Sequence, residues 1–119
     1  MSKQFLVVDD SSFMRDRIKK VITDAGHNIA AEAKDGNEAV SRYDEHKPDI
    51  VTMDITMRGM NGLEASKIIL DKHPDANIII VSVTENENYR SEAENIGVKA
   101  YLQKNKLDSL PDILKELNV

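Results

Sequence analysis

Phe5-Leu6-Val7-Val8-Asp9-Asp10-Ser11-Ser12 is the stretch on which the fold turns. Four apolar residues make a run of strand length. Two acids stop it, and two hydroxyl residues follow that can cap a helix. From Ser12 onward Met14, Ile18, Val21, Ile22 and Ala25 recur at i, i+4, i+7, i+8 and i+11, the spacing of one helical face. Gly26 can end that helix. The chain thus opens with a buried strand that feeds directly into an amphipathic helix.

Working outward, the same alternation recurs. Asn28–Ala33 reads as a second strand, and Asp35 caps a helix whose inward face is Ala39, Val40 and Tyr43. Pro48 interrupts, and Asp49–Met53 is the third strand. Arg58–Gly62 is a loop rich in helix breakers. Ala65, Ile68 and Ile69 mark a third helix, closed by His73-Pro74. Asn77–Val83 is the most apolar strand, expected at the centre with both faces covered. A polar helix spans roughly Asn86–Ile96 and ends at Gly97; its acids, with Glu85, read as a solvated face. Lys99–Leu102 is a fifth strand. Leu107, Leu110, Ile113, Leu114 and Leu117 give a last helix. Five strands alternating with five helices require an α/β fold with a parallel sheet and right-handed crossovers. The expected fold is a doubly wound five-stranded parallel sheet of order 2-1-3-4-5, flavodoxin-like in class.

Composition fits one domain over residues 1–119, with apolar and charged fractions of 40% and 31%. No apolar run approaches the roughly 20 residues of a membrane span, and the N-terminus lacks signal-peptide architecture. There is no cysteine, so disulfides and thiol chemistry are excluded. A net charge of −5 argues against direct nucleic-acid binding. The expectation is a cytoplasmic protein with no membrane or nucleic-acid partner.

Ligands of doubly wound sheets bind beyond the carboxyl ends of the strands, where the winding changes direction. Strands 1 and 3 are neighbours there, about 4.8 Å apart. Asp9 and Asp10 end strand 1, and Asp54 ends strand 3. Three carboxylates in one crevice repel, and one would hold its proton at a raised pKa. A hard divalent cation such as Mg²⁺, with oxygen ligands and retained waters, removes the conflict. Ser82 ends strand 4 with a hydroxyl, and Lys104 follows strand 5 with an ammonium. Phosphoryl transfer needs mostly positioning and charge stabilisation, so Asp54 can attack in line and become an aspartyl phosphate. Singly, each of these residues has an ordinary structural reading as a cap, a strand hydroxyl or a surface lysine. Together, at four matching strand ends, they do not.

The residues VVDDSSFMR, DIVTMDITM, MNGLEA, IIIVS and YLQK resemble a response-regulator receiver domain of the chemotaxis, CheY-like type, and the resemblance runs end to end. It implies a two-component signalling protein, not a turnover enzyme. It implies that Asp54 takes phosphate from a histidine kinase, and that Asp10 holds Mg²⁺ (or Mn²⁺) directly while Asp9 acts through water. The backbone carbonyl of Thr56 would be the remaining protein ligand. Ser82 and Lys104 would contact the phosphoryl group, and Tyr101 would be the rotamer switch. A downstream protein would read the last helix–strand–helix face, roughly residues 86–117. The expected state is a monomer, with dimerisation on phosphorylation left open. The DDSSFMR stretch and the ending after the last helix favour a stand-alone regulator over an excised domain.

Three positions depart from the family pattern. Met57 is followed by Arg58, not proline, which puts a cation at the rim of the site loop. Lys104 is followed by Asn105, not proline, so a cis bond there would cost about 2.5–4 kcal/mol and the placement of the lysine is open. Val83 replaces a small residue and is expected to narrow the mouth of the site. A flavin carrier of the same fold class is disfavoured, because Asp9-Asp10 would repel a flavin phosphate. A haloacid-dehalogenase-like phosphatase would want a second aspartate where Ser12 stands. A degenerate receiver acting only as an interaction module is the remaining rival, and against it every acid is present.

Overall fold

The computed structural model describes residues 2–83 and 86–118; Glu85, read above with the acidic helix face, lies outside them. Its elements are β1 (Gln4–Val8), α1 (Ser12–Asp24), β2 (Asn28–Ala33), α2 (Gly36–His46), β3 (Ile50–Met53), α3 (Gly62–Lys72), β4 (Ile78–Ser82), α4 (Glu87–Ile96), β5 (Ala100–Gln103) and α5 (Leu110–Leu117). All four strand pairings are parallel, and the order is β2-β1-β3-β4-β5. That is the doubly wound sheet the sequence predicts.

Both faces of the sheet are covered, which explains the unbroken apolar runs. Leu6, Val8, Val51, Met53, Ile78 and Ile80 point to one side, where Ala39, Tyr43, Ala65, Ile69 and Ala93 of α2, α3 and α4 pack on them. Phe5, Val7, Ile50, Ile79, Val81 and Leu102 point to the other, against Ile18 and Ile22 of α1 and Leu110 and Leu114 of α5. Alternate residues of one strand serve opposite layers because side chains alternate across a strand.

Helix boundaries follow local chemistry. Ser11 caps α1 by accepting from the Met14 amide at 3.2 Å, and Asp35 caps α2 through the Glu38 amide at 2.8 Å. Asn61 and Glu64 form a reciprocal capping box at α3. Strand ends differ from expectation by one residue at Gln4, Asp49, Asn77, Val83, Lys99 and Gln103. Asp49 and Lys99 still donate amides to β1 and β4, at 2.8 Å each. One element is corrected: the last helix does not run unbroken from Leu107. Lys104–Ser109 is a 3₁₀ turn with a kink at Lys106, and α5 begins at Leu110 with Pro111 in its first turn. Proline has a fixed φ and no N–H, so it starts helices well and continues them badly. Leu107 nonetheless packs into the same core.

Candidate functional site

The sheet delivers its acids to one end. The Asp9 amide donates to the Ala33 carbonyl at 3.1 Å and the Asp54 amide to the Val8 carbonyl at 3.0 Å, so both residues continue the strand ladder past β1 and β3. One carboxylate oxygen from each of Asp9, Asp10 and Asp54 lies within 4.8 Å of the other two. Asp9 and Asp54 are buried, at 0% and 4% exposure, while Asp10 faces solvent.

Lys104 leaves β5 at the start of the 3₁₀ turn and reaches back into this cluster. Its Nζ stands 2.7 Å from Asp9 Oδ2 and 3.3 Å from Asp54 Oδ1. The Lys104–Asn105 peptide is trans, there being no cis bond among the described residues. The long flexible stem of lysine makes the reach without the proline. Burial alone would lower the Lys104 pKa, but the Asp9 hydrogen bond and the Asp54 charge outweigh it, and the net shift is upward. Asp54 moves the other way from an ordinary acid. Burial first, and the Asp9 charge second, push its pKa up to about 6, against the pull of Lys104. Three carboxylates and one ammonium leave the cluster two charges short of neutral. All its donors are hard oxygens. A divalent cation of the Mg²⁺ type fits that donor set and that charge.

Ser82 is the last residue of β4 and is buried. It pairs in register with Gln103, next to Lys104. Thr56 is exposed, two residues past Asp54 in the loop that leads to α3, between the buried Ile55 and Met57. Tyr101 is half-buried in β5, and the Arg90 guanidinium of α4 sits 4.7 Å from its ring centroid. Val83, expected to narrow the mouth, is 71% exposed and stands out in solvent.

A family model described as "Response regulator receiver domain" matches residues 5–115. The chain belongs to that family. The chemotaxis protein CheY of Thermotoga maritima is 48% identical over 104 residues, 87% of each chain. Among solved structures, the response regulator domain of Thermotoga maritima CheB superposes with a TM-score of 0.89 at 34% identity, covering 100% of this chain and 98% of that one. CheY in the CheX-CheY-BeF3-Mg+2 complex from Borrelia burgdorferi gives 0.89 at 30% identity, covering 98% and 89%. The CheY relatives are signalling proteins, so this receiver domain is a component of two-component signalling.

Three residues that hold the receiver site together went unread in the sequence. Arg15, in the first turn of α1, folds back so that Nη1 donates to the Asp9 carbonyl at 2.8 Å and Nε to Glu32 at 3.0 Å. Glu32 also takes the Lys19 ammonium at 2.9 Å. Burial works to raise the Glu32 pKa, but these bonds win and lower it. Helical side chains lean toward the N-terminus, which is the signal that could have found Arg15. Gly62 starts α3 directly against the acceptor: a Cβ there would stand 1.8 Å from the Asp54 carbonyl oxygen. Gly36 lets the β2–α2 turn touch Met60, whose carbonyl oxygen would be 2.7 Å from an added Cβ.

Proposed function

We propose that residues 1–119 form one receiver domain that accepts a phosphoryl group from a histidine kinase onto Asp54, in the cytoplasm, and thereby changes its affinity for a protein partner. The observation that carries this is Asp54 itself: a buried strand-end carboxylate, 3.3 Å from an ammonium and crowded by two further acids. An oxygen of Asp54 forms the new P–O bond as the P–N bond of the phosphohistidine breaks. The electron pair leaves with the imidazole nitrogen, and nothing is oxidised or reduced.

Bound Mg²⁺ would neutralise phosphoryl oxygens and the crowded acids together. The residues that would hold it are Asp10 and Asp54 directly, Asp9 through water, and the carbonyl of Thr56. Both oxygens of Asp9 are already engaged, Oδ1 by the Ser11 amide at 3.0 Å and Oδ2 by Lys104, which supports the water-mediated role. Asp10 makes no hydrogen bond or ion pair among the described residues. Lys104 would shift from the carboxylates to the phosphoryl group, and Ser82 would donate to it. Tyr101 would follow Ser82 inward, changing the population of the α4–β5–α5 face that the partner reads.

The test is intact-mass spectrometry after incubation with acetyl phosphate and Mg²⁺. Wild type should gain one phosphate and Asp54→Asn none. An equal gain in the variant would remove Asp54 as the acceptor.

A further inference from the structure

Beside the carboxylate cluster lies a recess of ≈ 370 Å³ lined by Asp10, Lys34, Asp35 and Arg58. That is on the order of a dozen water volumes, room for a small organic phosphate. Three loops build it, Asp10 coming from the β1–α1 turn. Lys34 and Asp35 come from the β2–α2 turn, and Arg58 from the loop after β3. The Gly36–Met60 contact locks these last two loops together, so the two cations do not share a rim by chance of one mobile segment. Asp35 is committed to the Glu38 amide as the cap of α2. Lys34 has only a loose exposed pair with Glu38 at 4.0 Å. Arg58 is exposed and makes no hydrogen bond or ion pair among the described residues.

The charges have a direction. Two acids and two cations balance while Asp10 is free. When Asp10 is engaged by a divalent cation, the remaining lining of the recess is net positive, and Asp10 joins it to the carboxylate cluster that holds Asp54.

We propose that this recess is the entry subsite for small anionic phosphodonors, with Arg58, aided by Lys34, drawing a dianionic acyl phosphate toward Asp54. The inference rests on Asp54 being the acceptor. It predicts opposite signs for two ligands. A rim cation attracts an incoming anion and repels an incoming metal ion, whereas a packing defect would weaken both. The subsite also separates two donor classes: a small dianion feels the rim charges fully, while a protein-borne phosphohistidine arrives with its own docking contacts.

The experiment uses Arg58→Gln, Lys34→Gln and the double variant of the full chain. Isothermal titration of Mg²⁺ alone, without any phosphate, should show tighter binding, about two- to threefold for Arg58→Gln. The initial rate of phosphorylation by acetyl phosphate at saturating Mg²⁺ should fall about three- to tenfold, and the deficit should shrink at high salt. Unchanged Mg²⁺ affinity together with an unchanged rate overturns the subsite. So does weaker Mg²⁺ binding together with a lower rate, which would mark a packing defect. If wild type takes no phosphate at all, the acceptor assignment fails first, and the Mg²⁺ titration still decides whether the rim cations act on the site.

Discussion

Asp54→Asn should make the metal-free protein more stable, and the gain should depend on pH in one direction. Asp54 is an ordinary carboxylate of pKa 3.8 in the unfolded chain and has a pKa of about 6 when folded. Its side chain is only 5% exposed, so solvent screens the effect little. Above pH 6 the folded state must hold an ion that the unfolded chain holds at no cost. At 1.36 kcal/mol per pH unit, the penalty is roughly 3 kcal/mol. As pH falls the folded state takes up its proton before the unfolded one does. The penalty then shrinks to about 1 kcal/mol at pH 4.5 and vanishes well below 3.8. Asparagine removes the ion and keeps the shape, and Lys104 keeps Asp9 at 2.7 Å. Urea unfolding in EDTA at pH 7.5 should therefore find the variant more stable by about 2–3 kcal/mol, and by about 1 kcal/mol or less at pH 4.5. Adding Mg²⁺ at pH 7.5 should stabilise wild type more than the variant, because the metal relieves the same repulsion. A variant no more stable than wild type at pH 7.5 in EDTA would refute the electrostatic account of the pocket. A gain that ignores pH would move the cause from ionisation to packing.

Two further outcomes follow from contacts around the site. Gly62→Ala should cost several kcal/mol or abolish folding, because the new methyl meets backbone 1.8 Å away and not a flexible side chain; thermal melting reads this, and a normal melting temperature would contradict the close approach. Arg15→Met should weaken Mg²⁺ binding several-fold, since the Asp9 carbonyl loses its 2.8 Å donor and the β1–α1 turn its anchor. Arg15→Lys should restore part of that affinity, and calorimetry showing wild-type binding in Arg15→Met would dismiss the anchoring role.

The sheet was legible because each strand is covered on both sides and announces itself as an apolar run such as Phe5–Val8 or Ile78–Val81. The acids were legible because a charge that ends an apolar strand marks the edge of the core. Contacts that depend on side-chain direction were not. Arg15 reaching the Asp9 carbonyl and Gly36 admitting Met60 join residues whose proximity no periodicity encodes. The reach of Lys104 was open in the sequence for the opposite reason. The missing proline made it doubtful, and only the geometry of the 3₁₀ turn shows that a trans bond delivers the ammonium. The last helix was over-extended because Leu107 keeps the apolar spacing of α5 while lying across the kink at Lys106.

The same structure bears on why phosphorylation at one strand end would be felt at α4 and not elsewhere. Helix α3 buries Leu63, Ala65, Ser66 and Ile69, and α4 buries only Ala93 among its residues. Apolar burial is what fixes a helix to a sheet, at roughly 25 cal/mol per Å². Displacing α3 would therefore cost far more than displacing α4, whose packing beyond Ala93 is partial and includes Tyr89, Ile96 and the Arg90–Tyr101 contact. In the proposed switch, only the part of the interaction with the phosphoryl group that differs between the two conformers of the face shifts their populations. About 5.5 kcal/mol of differential binding carries a two-state equilibrium from one extreme to the other. Ser82, at the end of β4, and Lys104, just past the end of β5, are placed to make contacts with the phosphoryl group that differ between the two conformers.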